Sequence, residues 1–371
     1  MSSESYNGSP EIYAVNSGSD PGPDNNFTFI VGQGFLPKKP EEEERRSLRR
    51  RSYILGIATL VFLTVGFFLR EGSFFQDKFI EFLSRFKNYA IYIYLYPYIV
   101  CLLSYALLFV LYSVFTRMSI RSLVNFSNNV RSKPDIKLLL PACIVMLAFF
   151  IMSDYFKKIF VSTSKLFGVA LISGSRVARF DPQASPFTFV FRFLLPCLLP
   201  AFFEEFFFRG AVIQSFADFG HGFAIVLSSL FAAIFRMDLA RMPGNFMLGL
   251  VLGYFAVYSD NIIVPLAMRL FAEFGSGIII NSYQNIPIIN DLRANSTVWA
   301  VIKLIVFIAA YLAFFYIIKS QKELFKPLAT KSIIRPGEKL SLVFSSPFVL
   351  ISLFILFSGM LANSLPGTVK S

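Results

Sequence analysis

From Ser52 to Leu361 the chain is a succession of apolar runs broken by basic loops, and that pattern restricts it to a bundle of membrane-spanning helices. A soluble domain carries about 25% charged residues. This chain of 371 residues carries 16%, against 55% hydrophobic. The spacing predicts spans over Ser52–Leu69, Tyr89–Phe115, Leu138–Met152, Phe187–Phe203, Gly222–Phe235, Asn245–Tyr258, Ile262–Ile280, Val298–Ile318 and Pro347–Leu361. A shorter run, Ile159–Ile172, carries Ser, Thr and Lys165 and reads as an interfacial segment or half-span. Several runs fall short of the ~20 residues a span needs, which implies tilt or burial inside the bundle. The expected fold is all-α, a polytopic transmembrane bundle of about eight to ten helices.

Four regions follow from the composition. Residues 1–51 are polar and end in the acidic and basic run Glu41–Arg51, read as a disordered cytoplasmic tail with a basic anchor. The first apolar run begins too late for a cleavable signal peptide. Residues 52–186 hold the first transmembrane helices, 187–318 a membrane core, and 319–371 a basic loop and a last helix. The net charge of +12 sits beside apolar spans, which suits anionic lipid and topology rather than nucleic acid. The loops Arg117–Lys137 and Lys319–Lys339 are both basic, so both are expected on the side of the tail. The protein is therefore expected to be integral to the membrane and multi-pass, in the cell (inner) membrane, with a cytoplasmic N-terminus. Three cysteines lie in apolar runs and read as buried small hydrophobes. One histidine, His221, excludes a multi-histidine metal site, and no cofactor is expected.

Inside the membrane core, Glu204-Glu205-Phe-Phe-Phe-Arg209-Gly210 places two carboxylates and an arginine in an apolar run. Ionisable groups in a span are costly and by default mark a functional site. Glu205 and Arg209 are i, i+4 and can pair on one helix face. Glu204 lies about 100° away and is expected to stay free. A structural ion pair docking the helix is the competing reading. A glutamate in a low-dielectric bundle is a usable general base toward water, and a tetrahedral oxyanion then needs donors from other helices.

This run resembles the EExxxR motif that opens the CAAX protease and bacteriocin-processing family of intramembrane endopeptidases. The later stretch Gly249-Leu-Val-Leu-Gly253 and Asn261-Ile-Ile-Val-Pro265 is similar to the family's glycine-bearing helix, turn and proline-led last motif helix. The resemblance implies that Glu204 holds the place of the water-activating base, and Glu205 and Arg209 those of its partners. The family's FxxxH motif reads Phe231-Ala-Ala-Ile-Phe235 here, so Phe235 stands at the histidine position. In the third motif, a histidine with an asparagine four later, Arg269 and Glu273 stand at those two positions. Phe235 can neither donate nor accept. Arg269 can donate to an oxyanion, whereas the Glu273 carboxylate would repel one. Arg269 beside Glu204 would also make that carboxylate a poor base. His221, at the start of the same helix as Phe235, reads as a loop or interfacial residue. Arg236 and Asp238 could extend the polar cluster or could simply be solvated at a helix end.

Glu204, Glu205, Arg209, Arg269 and Glu273 are thus the candidate catalytic set, expected to converge inside the bundle. Two functions remain open: a glutamate-type intramembrane endopeptidase cleaving or binding membrane-inserted or lipidated peptides, prenylated ones among them, or an inactive pseudoprotease serving as scaffold or immunity factor. A transporter is the third reading, weakened by the absence of visible inverted repeats. Expected partners are membrane lipids and such a peptide.

Overall fold

A computed structural model describes residues 27–30, 34–37, 40–69, 74–83, 85, 89–116, 136–169, 171, 195–259, 261–279, 296–320, 322 and 332–364. Among them are eleven helices and one short hairpin. In the hairpin, β1 (Phe27–Ile30) pairs antiparallel with β2 (Gly34–Pro37). The helices are α1 (Pro40–Phe68), α2 (Phe74–Leu83), α3 (Tyr89–Thr116) and α4 (Ile136–Leu166). Next comes a composite rod, α5: an α-helix over Leu195–Glu205, a π-helix over Phe206–Val212 and a last α-helical turn over Ile213–Ala217. It is followed by α6 (His221–Phe235), α7 (Met242–Ser259), α8 (Ile263–Ile279), α9 (Ser296–Ser320), α10 (Pro336–Phe344) and α11 (Pro347–Ser364).

Length sorts these helices into layers. By length and composition, helices in α1, α3, α4 and α9 are long and apolar enough to cross a membrane, and α10 with α11 forms a bent pair, turned by 78°, that adds a fifth candidate. The central helices are shorter. The 15 residues of α6 span about 22 Å, less than the ~30 Å of a bilayer core. Most of α6 is buried, including Leu227, Ser228, Ser229 and Phe231, so its length answers to its neighbours rather than to lipid. The protein is a multi-pass helical membrane bundle.

Polar contacts collect the helix ends on one face. Arg51 of α1 pairs with Asp218 at 2.7 Å, donates to the Ser215 carbonyl, and lies over the Phe219 ring. Arg45 pairs with Glu338 of α10 at 2.7 Å, and Glu44 accepts from Ser332 and from the Ile333 amide. Lys339 donates to the Phe219 carbonyl at 2.5 Å. Thr116, the last residue of α3, lines a cavity with Ser47, Arg50 and Arg51. The end of α3 and the approach to α10 therefore lie on the face that carries the basic start of α1.

Three expectations need correction. The run Glu41–Arg51 is not part of a disordered tail but the first turns of α1. Pro40 opens the helix, Glu41, Glu42 and Glu43 complement its N-terminal dipole, and Arg45 pairs with Glu41 at 2.8 Å. Residues 1–26 lie outside the described residues. Second, Ile159–Leu166 is no separate segment but the end of α4. At 31 residues that helix reaches about 46 Å, longer than the ~30 Å of a hydrocarbon layer, and Lys157, Lys158 and Lys165 lie toward its end. The remainder of the segment, apart from 167–169 and Leu171, lies outside the described residues. Third, α2 and α10 were not anticipated, because each is short and amphipathic rather than an apolar run.

Small residues set the closest approaches. A Cβ on Gly56 of α1 would lie 2.6 Å from the Val349 nitrogen and 2.7 Å from the Phe348 carbonyl carbon of α11, both backbone atoms that cannot move aside. A Cβ on Gly249 of α7 would meet Ser229 of α6 at 2.8 Å, and one on Gly253 would meet Ile225 at 3.0 Å. The Gly249-xxx-Gly253 spacing therefore serves helix packing. Gly56→Ala is expected to force α1 from α11 and cost about 1–3 kcal/mol. Gly66→Ala, on the same helix with nothing within 4 Å of its Cβ, is expected to be neutral or mildly stabilising. Thermal unfolding of the two variants in detergent checks the contrast.

Candidate active site

Five helices bring their polar residues to one buried cluster. Glu204 and Glu205 end the first α-helical stretch of α5, and Arg209 lies in its π-helical stretch. Arg269 and Glu273 are one turn apart on α8. To these the fold adds Arg236, which caps α6, Asn245 in the first turn of α7, and Tyr105 from the middle of α3. Tyr105 is eleven residues from Thr116, and Phe62, which packs on Tyr105 and Phe235, is eleven from Arg51. At 1.5 Å per residue the cluster lies about 16 Å below the basic face, near the middle of a bilayer core.

Arg269 organises the cluster. Arg269 as a residue is 3% exposed, and its guanidinium touches three carboxylates through three different nitrogens. Nη2 meets Glu204 Oε2 at 2.6 Å, Nη1 meets Glu205 Oε1 at 2.9 Å, and Nε meets Glu273 Oε1 at 3.0 Å. Arg236 adds a second guanidinium to Glu204 Oε2, with Nη2 at 3.3 Å and Nε at 3.4 Å, while its Nη1 donates to Asn245 Oδ1 at 3.1 Å. Arg209 Nε lies 3.1 Å from Glu205 Oε2, close but misaligned, so neither atom completes a hydrogen bond. Its Nη2 reaches the Gly249 carbonyl at 3.4 Å, which the close approach of α7 makes accessible. Three carboxylates thus face three guanidiniums, and the cluster is neutral as a whole.

Spacing along its own helix left Glu204 free, whereas Arg269 at the third-motif position implied a pairing with it. The pairing is present: Glu204 accepts at Oε2 from two arginines, Arg269 of α8 and Arg236 at the end of α6. Its Oε1 lies at a long 3.5 Å from the Tyr105 hydroxyl. Arg236, left open between cluster and solvent, belongs to the cluster with its side chain 27% exposed. The signal was its place one residue beyond Phe235. Asn245 and Tyr105 were missed. The available hints were an asparagine inside an apolar run and a tyrosine deep in one.

Phe235, at the histidine position, packs against Phe208 at 5.1 Å and Phe62 at 5.2 Å between ring centroids, so aromatic rings fill that corner. His221 lies at the other end of α6, 14 residues away or about 21 Å along the helix. The π-helix is held from outside: the Phe208 carbonyl accepts from the Ile213 amide, five residues on, and from the Ser228 hydroxyl at 2.8 Å. Such π segments are rare and gather at functional sites. Among the described residues no group of three His, Cys, Asp or Glu side chains is arranged to hold a metal, and in this cluster each carboxylate is turned toward a guanidinium.

Removing Arg269 would leave three carboxylates to two guanidiniums in a low-dielectric interior. Arg269→Gln is expected to destabilise the protein by about 3–5 kcal/mol. Arg236→Gln, at a more exposed partner, is expected to cost about 1 kcal/mol or less. Chemical or thermal unfolding in detergent separates the two.

Residues 186–275 match the family model for type II CAAX prenyl endopeptidase Rce1-like proteins. That stretch contains α5 to α7 and α8 as far as Gly275, and with them every member of the cluster except Tyr105. Among curated proteins, and among solved structures, none matches the chain. The match spans 90 of the 371 residues, and with the EExxxR run and the helical bundle around it is consistent with a member of the CAAX protease and bacteriocin-processing family.

Proposed function

We propose that this protein is a CAAX-protease-like membrane protein that binds a membrane-inserted or lipidated peptide in its core without hydrolysing it. One observation carries the reading: the 2.6 Å contact of Arg269 Nη2 with Glu204 Oε2. A general base needs a lone pair aimed at the water it deprotonates. Here the Oε2 lone pairs of the would-be base accept from Arg269 and Arg236. The donor that would stabilise an oxyanion is engaged in large part as well, since each nitrogen of Arg269 donates to a carboxylate and three of its five N–H groups are taken. Glu273, at the position where the family carries an asparagine, adds negative charge where negative charge would develop.

The positive-inside pattern supports a cytoplasmic side for the basic face of α1, with the cell (inner) membrane as the proposed location. Scaffold or immunity roles fit a protein that holds a peptide segment and leaves it intact. The active reading draws on a different observation. Glu204 Oε1 has only the 3.5 Å tyrosine contact among those described, so one carboxylate oxygen lacks a close guanidinium.

A cleavage assay on purified protein with a prenylated peptide separates these readings. The native protein is expected to cleave no faster than Glu204→Gln. Native cleavage that disappears in Glu204→Gln would overturn the proposal and assign Arg269 the role of oxyanion donor. The triple variant Phe235→His, Arg269→His, Glu273→Asn is expected to gain cleavage that Glu204→Gln abolishes again.

A further inference from the structure

On the basic face, well away from the carboxylate cluster, α1, α3 and the last turn of α5 enclose a cavity of ≈ 380 Å³. Its wall is chemically divided. Ser47, Arg50, Arg51, Gln214 and Thr116 supply polar groups, and Ile54 and Phe115 line it where the apolar parts of α1 and α3 begin. Arg51 is committed to Asp218 and to the Ser215 carbonyl. That contact neutralises the one carboxylate in the lining. Arg50 has no ion pair or hydrogen bond among the described residues, and it is exposed. Arg46 and Arg49, on the adjoining turns of α1, are exposed and likewise without a described partner. The cavity therefore combines an uncommitted guanidinium, a serine hydroxyl and a surplus of positive charge with an apolar floor, at the level where lipid headgroups lie.

We propose that this cavity is a binding site for the headgroup of an anionic phospholipid. Arg50 contacts the phosphate, a guanidinium being a planar donor fork matched to phosphate oxygens. Ser47 adds a hydroxyl donor. Ile54 and Phe115 border the glycerol and first methylenes of the acyl chains. The apolar floor favours a lipid over a free phosphate, because a soluble anion would gain nothing from Phe115, which is 53% exposed at the membrane boundary. The lipid would tie α1 to α3 on the face where the basic loop after α3 emerges. The proposal is independent of whether the buried cluster cleaves peptides.

The test is native mass spectrometry of the purified full-length protein, titrated in detergent with phosphatidylglycerol, phosphatidylcholine or glycerol 3-phosphate. Phosphatidylglycerol is expected to be retained in preference to phosphatidylcholine. Arg50→Gln is expected to weaken its binding about fivefold, near the effect of one basic residue at an anionic surface, and Arg50→Lys to recover most of it. Because Arg50 is exposed and unpaired among the described residues, its loss leaves folding intact, and an unchanged unfolding temperature verifies this. Equal retention of phosphatidylcholine, or binding unaltered in Arg50→Gln, would overturn the site. Glycerol 3-phosphate binding as tightly as the lipid would overturn the lipid assignment in favour of a soluble phosphate ligand.

Discussion

One guanidinium holds the interior of this protein together. Arg269 touches Glu204, Glu205 and Glu273, and so joins the rod of α5 to α8 in a largely buried setting. A lone carboxylate at this depth would be costly, and three would be prohibitive. Their coexistence depends on Arg269, Arg209 and Arg236 arriving from three different helices. Arg209 reaches Glu205 from within the π-helix, and Arg236 reaches Glu204 from the end of α6, where the chain reverses at Met237 with a positive φ of 48°. The ends and irregularities of the core helices are set where the charges must meet.

The outer architecture serves the same end. Long helices α1, α3, α4 and α9 face lipid and allow α6 to be short and buried. Glycines fix how tightly the layers close. Gly249 lets α7 approach α6 until Ser229 fills the gap, which also brings the Gly249 carbonyl to Arg209. Packing and electrostatics are therefore coupled through one glycine: a side chain there would push α7 away and take an acceptor from a buried cation.

Much of the fold could be read from the chain because hydrophobic runs define membrane helices one by one. The expected Gly222–Phe235 and Val298–Ile318 correspond to His221–Phe235 and Ser296–Ser320. How helices far apart in sequence meet was harder to read. Helical spacing relates Glu204 only to residues on its own helix, and only the resemblance to the family motifs brought Arg269 and Glu273 to it. Arg269 is 65 residues away, and Tyr105 is 99. Arg236 was ambiguous for the same reason: a charge after an apolar helix is usually solvated, and only the packing of α6 on α5 turns it inward. The overlong α4 was divided because its lysines interrupt the apolar pattern without interrupting the helix. For α10, a proline start and a charged first turn were visible, but a basic loop was the simpler reading.

The departures from the family motifs are physically linked rather than independent. At the positions where the family carries histidine and asparagine, both neutral, this chain has Arg269 and Glu273, one positive and one negative. The exchange preserves net charge and places the two in direct contact at 3.0 Å. Either substitution alone would leave an uncompensated charge in the bundle. Arg269 without Glu273 would find three guanidiniums facing two carboxylates, and Glu273 without Arg269 would leave three carboxylates to two guanidiniums. Phe235 adds no charge to this balance, and its aromatic ring fills the corner against Phe62 and Phe208. The cluster is thus electrostatically self-consistent: it keeps the two glutamates and the arginine of the EExxxR run, and guanidiniums meet each carboxylate.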